Sequence, residues 1–337
     1  MTDAFHDALV TAGTGGLPDR FFDRFVFNLH PAGAGGPLVI FGLGVYPARD
    51  VVDGFALLVT EPEQRNLRFS TELSATEGTN AGPFSWATVE PMRTWRARLR
   101  PNPAGLEFDL TWRARTPAWT GELTVANTDG SMSSFAHLFQ SGRYDGTLSV
   151  DGQPRPVQGW YGQRDRSRGL RTMAGGQGLH IWFQAQFPDR SIGFVIAETR
   201  QHEPLLTEGA VMHESGDLDL VTGVRHGLRF DAGLDLMAGT VEVSTASGAV
   251  YLMTADASGR GGYMSGAGYG GQHGRPMGRD HVEHDVYALD GSVSPRTLDS
   301  ALTDRLAAFT WNDTPGSGVF EFALTRSNSY TYQPTLF

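Results

Sequence analysis

Apolar and polar residues alternate one for one through much of this chain. Between 106 and 115, Leu106, Phe108, Leu110, Trp112 and Ala114 interleave with Glu107, Asp109, Thr111, Arg113 and Arg115. Successive side chains of a strand point to opposite faces, so a period of two predicts a strand with one face buried and one in water. Residues 179–187 read the same way: Leu179, Ile181, Phe183, Ala185 and Phe187 form a wholly apolar face, and His180, Trp182, Gln184 and Gln186 a mixed one. Further strands are predicted at 21–30, 37–46, 54–61, 65–73, 82–90, 93–100, 191–199, 227–231, 240–245, 249–255, 281–288 and 318–326, with breaks rich in Gly, Pro, Asn and Asp between them. Asp151-Gly152, set between two alternating runs, predicts a tight hairpin turn. One late segment departs from this pattern. Behind Ser294-Pro295, the residues Leu298, Ala301, Leu302, Arg305, Leu306 and Phe309 recur at helical spacing, which predicts a helix from Leu298 to Phe309.

The expected fold class is therefore mainly β, with very few helices. A chain of 337 residues suits two units, since domains commonly hold roughly 100–200 residues. The seam is expected where the first β block ends, giving an N-terminal unit at 1–152 and a C-terminal unit at 153–337 that pack against each other as antiparallel, barrel-like bodies.

Composition removes several function classes. The net charge of −10 lacks the basic field that neutralises phosphate, which argues against nucleic-acid and anionic-membrane partners. Cysteine is absent, so thiol nucleophiles, disulfides and thiolate metal sites are excluded. All 27 basic residues other than histidine are arginine, and without a lysine amine there is no Schiff base, Walker lysine or S-x-x-K nucleophile. No run of about 18 apolar residues predicts an integral membrane segment, and the start "MTDAFHDALVTAG" has no signal-peptide pattern, so a cytoplasmic location is expected.

Two motifs resemble known chemistry without its context. "GAGYGG" at 266–271 matches a dinucleotide loop but has neither a strand before it nor a helix after it to hold phosphate. In "HVEHD" at 281–285, His281 and Glu283 share one face of a strand while His284 faces away, so they do not converge on a metal. No G-x-S-x-G nucleophile elbow occurs. No metal and no cofactor are expected.

The densest charge lies in "GQRDRSRGLR", residues 162–171. On a strand, Asp165, Ser167, Gly169 and Arg171 share one face and Arg164, Arg166 and Arg168 the other. An aspartate among arginines stays ionised, so this is either a structural ion-pair network or part of a site. The face with His180, Trp182 and Gln184 has the composition of a pocket wall, apolar mass with a few hydrogen-bonding groups. The candidate catalytic groups are Asp165, as acid/base or as the orienter of an arginine, with Tyr161 and His180 as alternative proton carriers. Candidate substrate-binding residues are Asn28, His30, His137, Gln140, Arg164, Arg166, Arg171, Trp182 and Gln184.

"QGWYGQRDRSRGLR", followed by "GLHIWFQAQFPDRSIGFVIAE", resembles a conserved segment and a Trp-containing strand of the AttH and carotenoid 1,2-hydratase (hydroxyneurosporene synthase) superfamily. "FFDRFVFNLH", "GLGVYPARDVVDGFALLV", "EPMRTWRARL" and "FAHLFQSGRYDGTLSVDG" extend the similarity, to an actinobacterial branch, over most of the chain. The resemblance implies two lipocalin-like (calycin-type) β-barrels. It also implies an enzyme without redox cofactor, a hydro-lyase, isomerase or cyclase, acting on a bulky terpenoid, polyene or polyketide, since members hydrate carotenoid double bonds and fungal relatives catalyse Diels–Alder cyclisations. Arg168 stands where these relatives carry Trp, so that ring's role does not carry over. The same fold implies an alternative, a carrier or sensor that binds a lipophilic ligand unchanged; a third is a catalytically inert structural partner.

Overall fold

The structure, a computed structural model, describes residues 4–11, 13–76, 79–126, 130–170 and 177–337. Over the first half the strands are β1 Phe21–Leu29, β2 Leu38–Tyr46, β3 Val51–Val59, β4 Glu63–Glu72, β5 Asn80–Ala81, β6 Phe84–Glu90, β7 Thr94–Leu99, β8 Leu106–Ala114, β9 Trp119–Ala126, β10 Met132–Val150 and β11 Gln153–Leu170. The second half contributes β12 Gln177–Gln186, β13 Arg190–Thr199, β14 Pro204–His213, β15 Leu218–Phe230, β16 Leu236–Thr245, β17 Val250–Asp256, β18 His281–Ala288, β19 Thr303–Trp311 and β20 Thr314–Leu324. Among the described residues no helix is long and apolar enough to cross a membrane.

These strands build the expected double lipocalin-like architecture from an open sheet and a closed barrel. The sheet runs β18-β4-β3-β2-β1-β11-β10-β8-β7-β6-β5, with β9 paired to the first half of β10 and β8 to the second. It curls around a core that includes Phe25, Phe27, Phe41, Phe108 and Trp112. The barrel closes in the order β12-β13-β14-β15-β16-β17-β19-β20. Its lumen is filled: the Phe183 ring lies 4.8 Å from those of Phe194 and Phe309 and 5.0 Å from that of Phe320. An eight-stranded barrel is just wide enough for side chains to occupy it fully.

A third core lies between the two bodies, where Phe22, Ile40, Phe135 and Phe139 of the sheet meet Trp182, Val195, Met212 and Val319 on the outside of the barrel. Strands in this sandwich are covered on both faces, which is why β2, "LVIFGLGVY", is apolar without alternation.

Three sequence expectations are corrected here. The segment read as a helix from Leu298 to Phe309 supplies β19, which pairs with β17 on one side and β20 on the other. Its residues carry both periodicities, and closure of the barrel decides between them. Ala307 and Phe309 fill the lumen while Asp304 and Leu306 point to the sheet, and a helix there would leave the edges of β17 and β20 unpaired. The division at 152/153 falls inside a hairpin, because β11 pairs along its length with β10 and then with β1. The chain passes from sheet to barrel between Leu170 and Gln177. Finally, β18 returns to the first sheet, where His281 pairs with Ser70 and Ala288 with Glu63. It is a strand as the alternation predicted, but its partner is a strand more than half the chain away.

Candidate active site

A cavity of about 280 Å³ lies in the seam between sheet and barrel. Its floor is set by register. Arg24 of β1 pairs with Ser167 of β11, which pairs with His137 of β10; one step along, Val26 pairs with Asp165. Each of these four polar side chains lines the cavity, with Phe135, Leu123 and Val125 beside them. The roof is the outer face of the barrel, where Trp182 of β12 pairs with Glu321 of β20, which pairs with Asp304 of β19. His180, Val195, Ala197 and Leu206 complete it, and Met264, Tyr269 and Ser300–Leu302 close one side.

Each wall carries a histidine–carboxylate pair. Across the floor, His137 Nε2 lies 2.5 Å from Asp165 Oδ2. His137 Nδ1 is buried without a partner. A stranded lone pair is less costly than a stranded N–H, so the tautomer is the one in which Nε2–H donates to Asp165. In the roof, His180 Nε2 lies 2.7 Å from Glu321 Oε1.

Asp304 completes the roof and differs from the other two carboxyls. It is 2 % exposed. Burial pushes its carboxyl well above the usual carboxylate range, and the Glu321 charge beside it, a hydrogen bond shared with Glu321 and the Asp165 charge across the cavity push the same way, while His180 opposes them. Asp304 is therefore the group that keeps its proton, and its Oδ1 has no hydrogen-bond partner. An apolar chamber thus presents a protonated carboxyl on one wall and a histidine-bound carboxylate on the other, the complement needed to give a proton to one face of a substrate and take one elsewhere.

Of the sequence-nominated residues, the structure brings Asp165, His137, His180 and Trp182 together in this cavity. The arginines expected around Asp165 are elsewhere, on the opposite face of β11. Arg166 makes a two-point contact with Asp23, 2.9 and 2.7 Å, inside the sheet core. Arg164 lies over the Trp95 ring at 3.8 Å and donates to Gln140 Oε1 at 3.1 Å. Gln140 also donates to the Thr116 carbonyl and supports the scaffold. Arg171 lies outside the described residues. Tyr161 shares a face with Asp165 but sits four residues, about 13 Å, along the strand, stacked under Arg115 and Arg143 and away from the cavity lining. Asn28 accepts from the Gln163 backbone N–H at 3.1 Å, and His30 is buried with Nδ1 2.7 Å from the Pro31 carbonyl. Neither of these two lines the cavity, nor does Gln184, which packs against Gly193.

Sequence reasoning passed over Arg24, Ser167, Glu321 and Asp304. A signal existed for Glu321: in "VFEFAL" it is the charged residue on the face it shares with Val319 and Ala323, while Phe320, Phe322 and Leu324 fill the barrel. Asp304 was hidden by the helical reading of its segment.

Among the described residues no three His, Cys, Asp or Glu side chains are grouped to hold a metal ion.

The sequence profile of a family of unknown function, DUF8625, matches residues 6–331. The chain belongs to this family. No curated protein matches the sequence. Solved structures share the architecture. The AttH-like protein NE1406 of Nitrosomonas europaea superposes with a TM-score of 0.62 at 12 % identity, over 96 % of this chain and 100 % of that one. Kievitone hydratase of Nectria haematococca gives 0.50 at 12 % identity, over 96 % and 95 %. CghA gives 0.50 at 10 % identity, over 96 % and 95 %. The fold of this DUF8625 member is thus that of the AttH and carotenoid hydratase-like proteins, at identities that speak to architecture alone.

Proposed function

We propose that the protein is an acid–base enzyme acting on a bulky lipophilic substrate, adding or removing water, shifting a double bond or closing a ring. The observation that supports this reading is the facing pair of walls: protonated Asp304 with Glu321 and His180 on one, Asp165 with His137 on the other, enclosing apolar side chains. A cavity that only carried a ligand would gain nothing from a buried carboxyl held in its uncharged form. The barrel lumen, where a lipocalin-type carrier would hold its ligand, is filled with phenylalanines.

In this scheme the Asp304 O–H breaks and its proton forms a C–H bond at one end of a substrate double bond, leaving positive charge at the other end. Water adds there and loses its proton to the Asp165–His137 pair, giving a hydrated product. Loss of a neighbouring C–H proton to the same pair gives an isomer; attack by a second double bond closes a ring and moves the positive charge to the far carbon of that bond, which then loses a neighbouring C–H proton to the same pair. The proton taken up by the pair returns to Asp304 through solvent, so the protein ends as it began. Similarity of fold to a kievitone hydratase is compatible with the first of these outcomes.

The test is incubation of the purified protein with polyene and terpenoid lipids in heavy water, followed by mass spectrometry of the recovered lipids. Deuterium is expected in a lipid treated with the native protein and not with Asp304→Asn. A lipid that is bound and returned with unchanged mass and isomer composition would show a carrier.

A further inference from the structure

The chain pairs most of its buried guanidinium groups with carboxylates. Arg166 has Asp23, Arg305 has Asp235 and Arg164 has Asp7 at 3.7 Å. Arg24, 7 % exposed in the cavity floor, does not follow this rule. Its Nη2 donates to the Tyr46 hydroxyl. Its guanidinium carbon lies 5.2 Å from the centre of the Tyr269 ring and 5.8 Å from that of Tyr46. No carboxylate among the described residues forms an ion pair with it; its Nε is buried without a partner, and Nη1 makes no hydrogen bond. Asp53 contributes charge nearby without forming an ion pair with Arg24: its Oδ2 accepts from the Gly274 N–H at 2.6 Å, and its Oδ1, 3.4 Å from His273 Nδ1, makes no hydrogen bond. Burial drives the Tyr46 hydroxyl pKa upward, so that hydroxyl is a neutral partner rather than a counter-ion. The glycine beside Arg24 makes room for it: a Cβ at Gly44 would stand 3.1 Å from Nε and 3.3 Å from the Tyr46 oxygen.

A buried cation without an anion is costly, and the lining carboxylates have other partners: Asp165 has His137, Glu321 has His180, and Asp304 has Glu321. We propose that the substrate is a lipophilic weak acid whose ionised oxygen, a carboxylate or an enolate, is bound by Arg24, with its apolar body lying along Leu123, Val125, Trp182 and Leu206 toward Asp304. The assignment rests on the cavity being the lipophilic substrate site proposed above. It gives that substrate a polar end and sets its direction in the cavity.

Fluorescence titration with dansylaminoundecanoic acid and with its methyl ester separates the two readings. The native protein is expected to bind the acid roughly ten- to a hundred-fold more tightly than the ester, the range of one charge-assisted contact. Arg24→Gln should weaken the acid by that factor and leave the ester unchanged, while Trp182→Ala weakens both. Should Arg24→Gln fail to fold, Gly44→Ala, which presses a methyl group against the guanidinium, is expected to lower the same ratio. Equal binding of acid and ester by the native protein overturns the Arg24 assignment and leaves the lipophilic site standing. Binding of neither overturns both.

Discussion

Asp23→Asn and Asp165→Asn make the same chemical change on two paired strands, and their surroundings give them opposite consequences. Asp23 and Arg166 are both fully buried, 0 % exposed, and meet through two hydrogen bonds; Asp23 also accepts from the Val10 N–H at 2.9 Å. Removing the carboxylate leaves a guanidinium stranded among Phe5 and Phe25, whose rings lie 5.0 and 4.3 Å away. Such a loss costs about 3–5 kcal/mol. An unfolding entropy of about 0.7 kcal/mol/K for a chain of this length converts that to a fall of roughly 4–7 °C in melting temperature. Asp165 has a side chain 15 % exposed, and the carbonyl of an asparagine can still accept from His137 Nε2. Its replacement should cost about 0.5–1.5 kcal/mol, or roughly 1–2 °C, while turnover of a proton-transfer reaction falls by about 10²–10⁴-fold. Scanning calorimetry of both variants at neutral pH, with far-ultraviolet spectra to confirm the β fold, provides the comparison. If Asp165→Asn melts as far below the native protein as Asp23→Asn does, Asp165 is a scaffold residue and the division of labour across β11 is wrong.

The Asp304 carboxyl holds its proton to higher pH in the folded protein than in the unfolded chain, so folding stability contributed by this group falls as pH rises from the ordinary carboxylate range through its folded value. Urea midpoints should therefore decline as pH rises above the ordinary carboxylate range for the native protein and less for Asp304→Asn, and parallel curves would contradict its assignment as the acid. His30 is shifted the other way, to about 4, chiefly by burial. The unfolded chain then binds the proton first, so the stability from uncharged His30 is complete above the ordinary histidine value and is lost as pH falls toward 4, by about 3 kcal/mol in all. Histidine NMR should show the His30 ring still uncharged at about pH 5; a His30 resonance titrating near the ordinary value would refute this.

What the sequence determined by itself was local. Period-two alternation placed β8 and β12 correctly and sorted their faces, because the direction of a side chain in a strand depends only on parity. The same parity put Asp165 and its neighbouring arginines on opposite faces of β11, and the structure keeps them there. Closeness in sequence nonetheless made them look like partners, whereas the partner of Asp165 is His137, 28 residues away, and that of Arg166 is Asp23, 143 residues away. Which strand lies beside β11, and therefore which charges meet, is decided by sheet order and register, for which a single strand carries no signal. Barrel closure likewise overrode the helical spacing around Asp304, since backbone pairing with two neighbours outweighs a propensity of a few tenths of a kcal/mol per residue. Of the cavity, local alternation showed one wall, the face of His180 and Trp182, and not the wall opposite. The cavity is neither in the sheet core nor in the barrel, but in the seam where two strand faces from distant parts of the chain pack together, and only that packing withdraws Asp304 from water and keeps its proton in place.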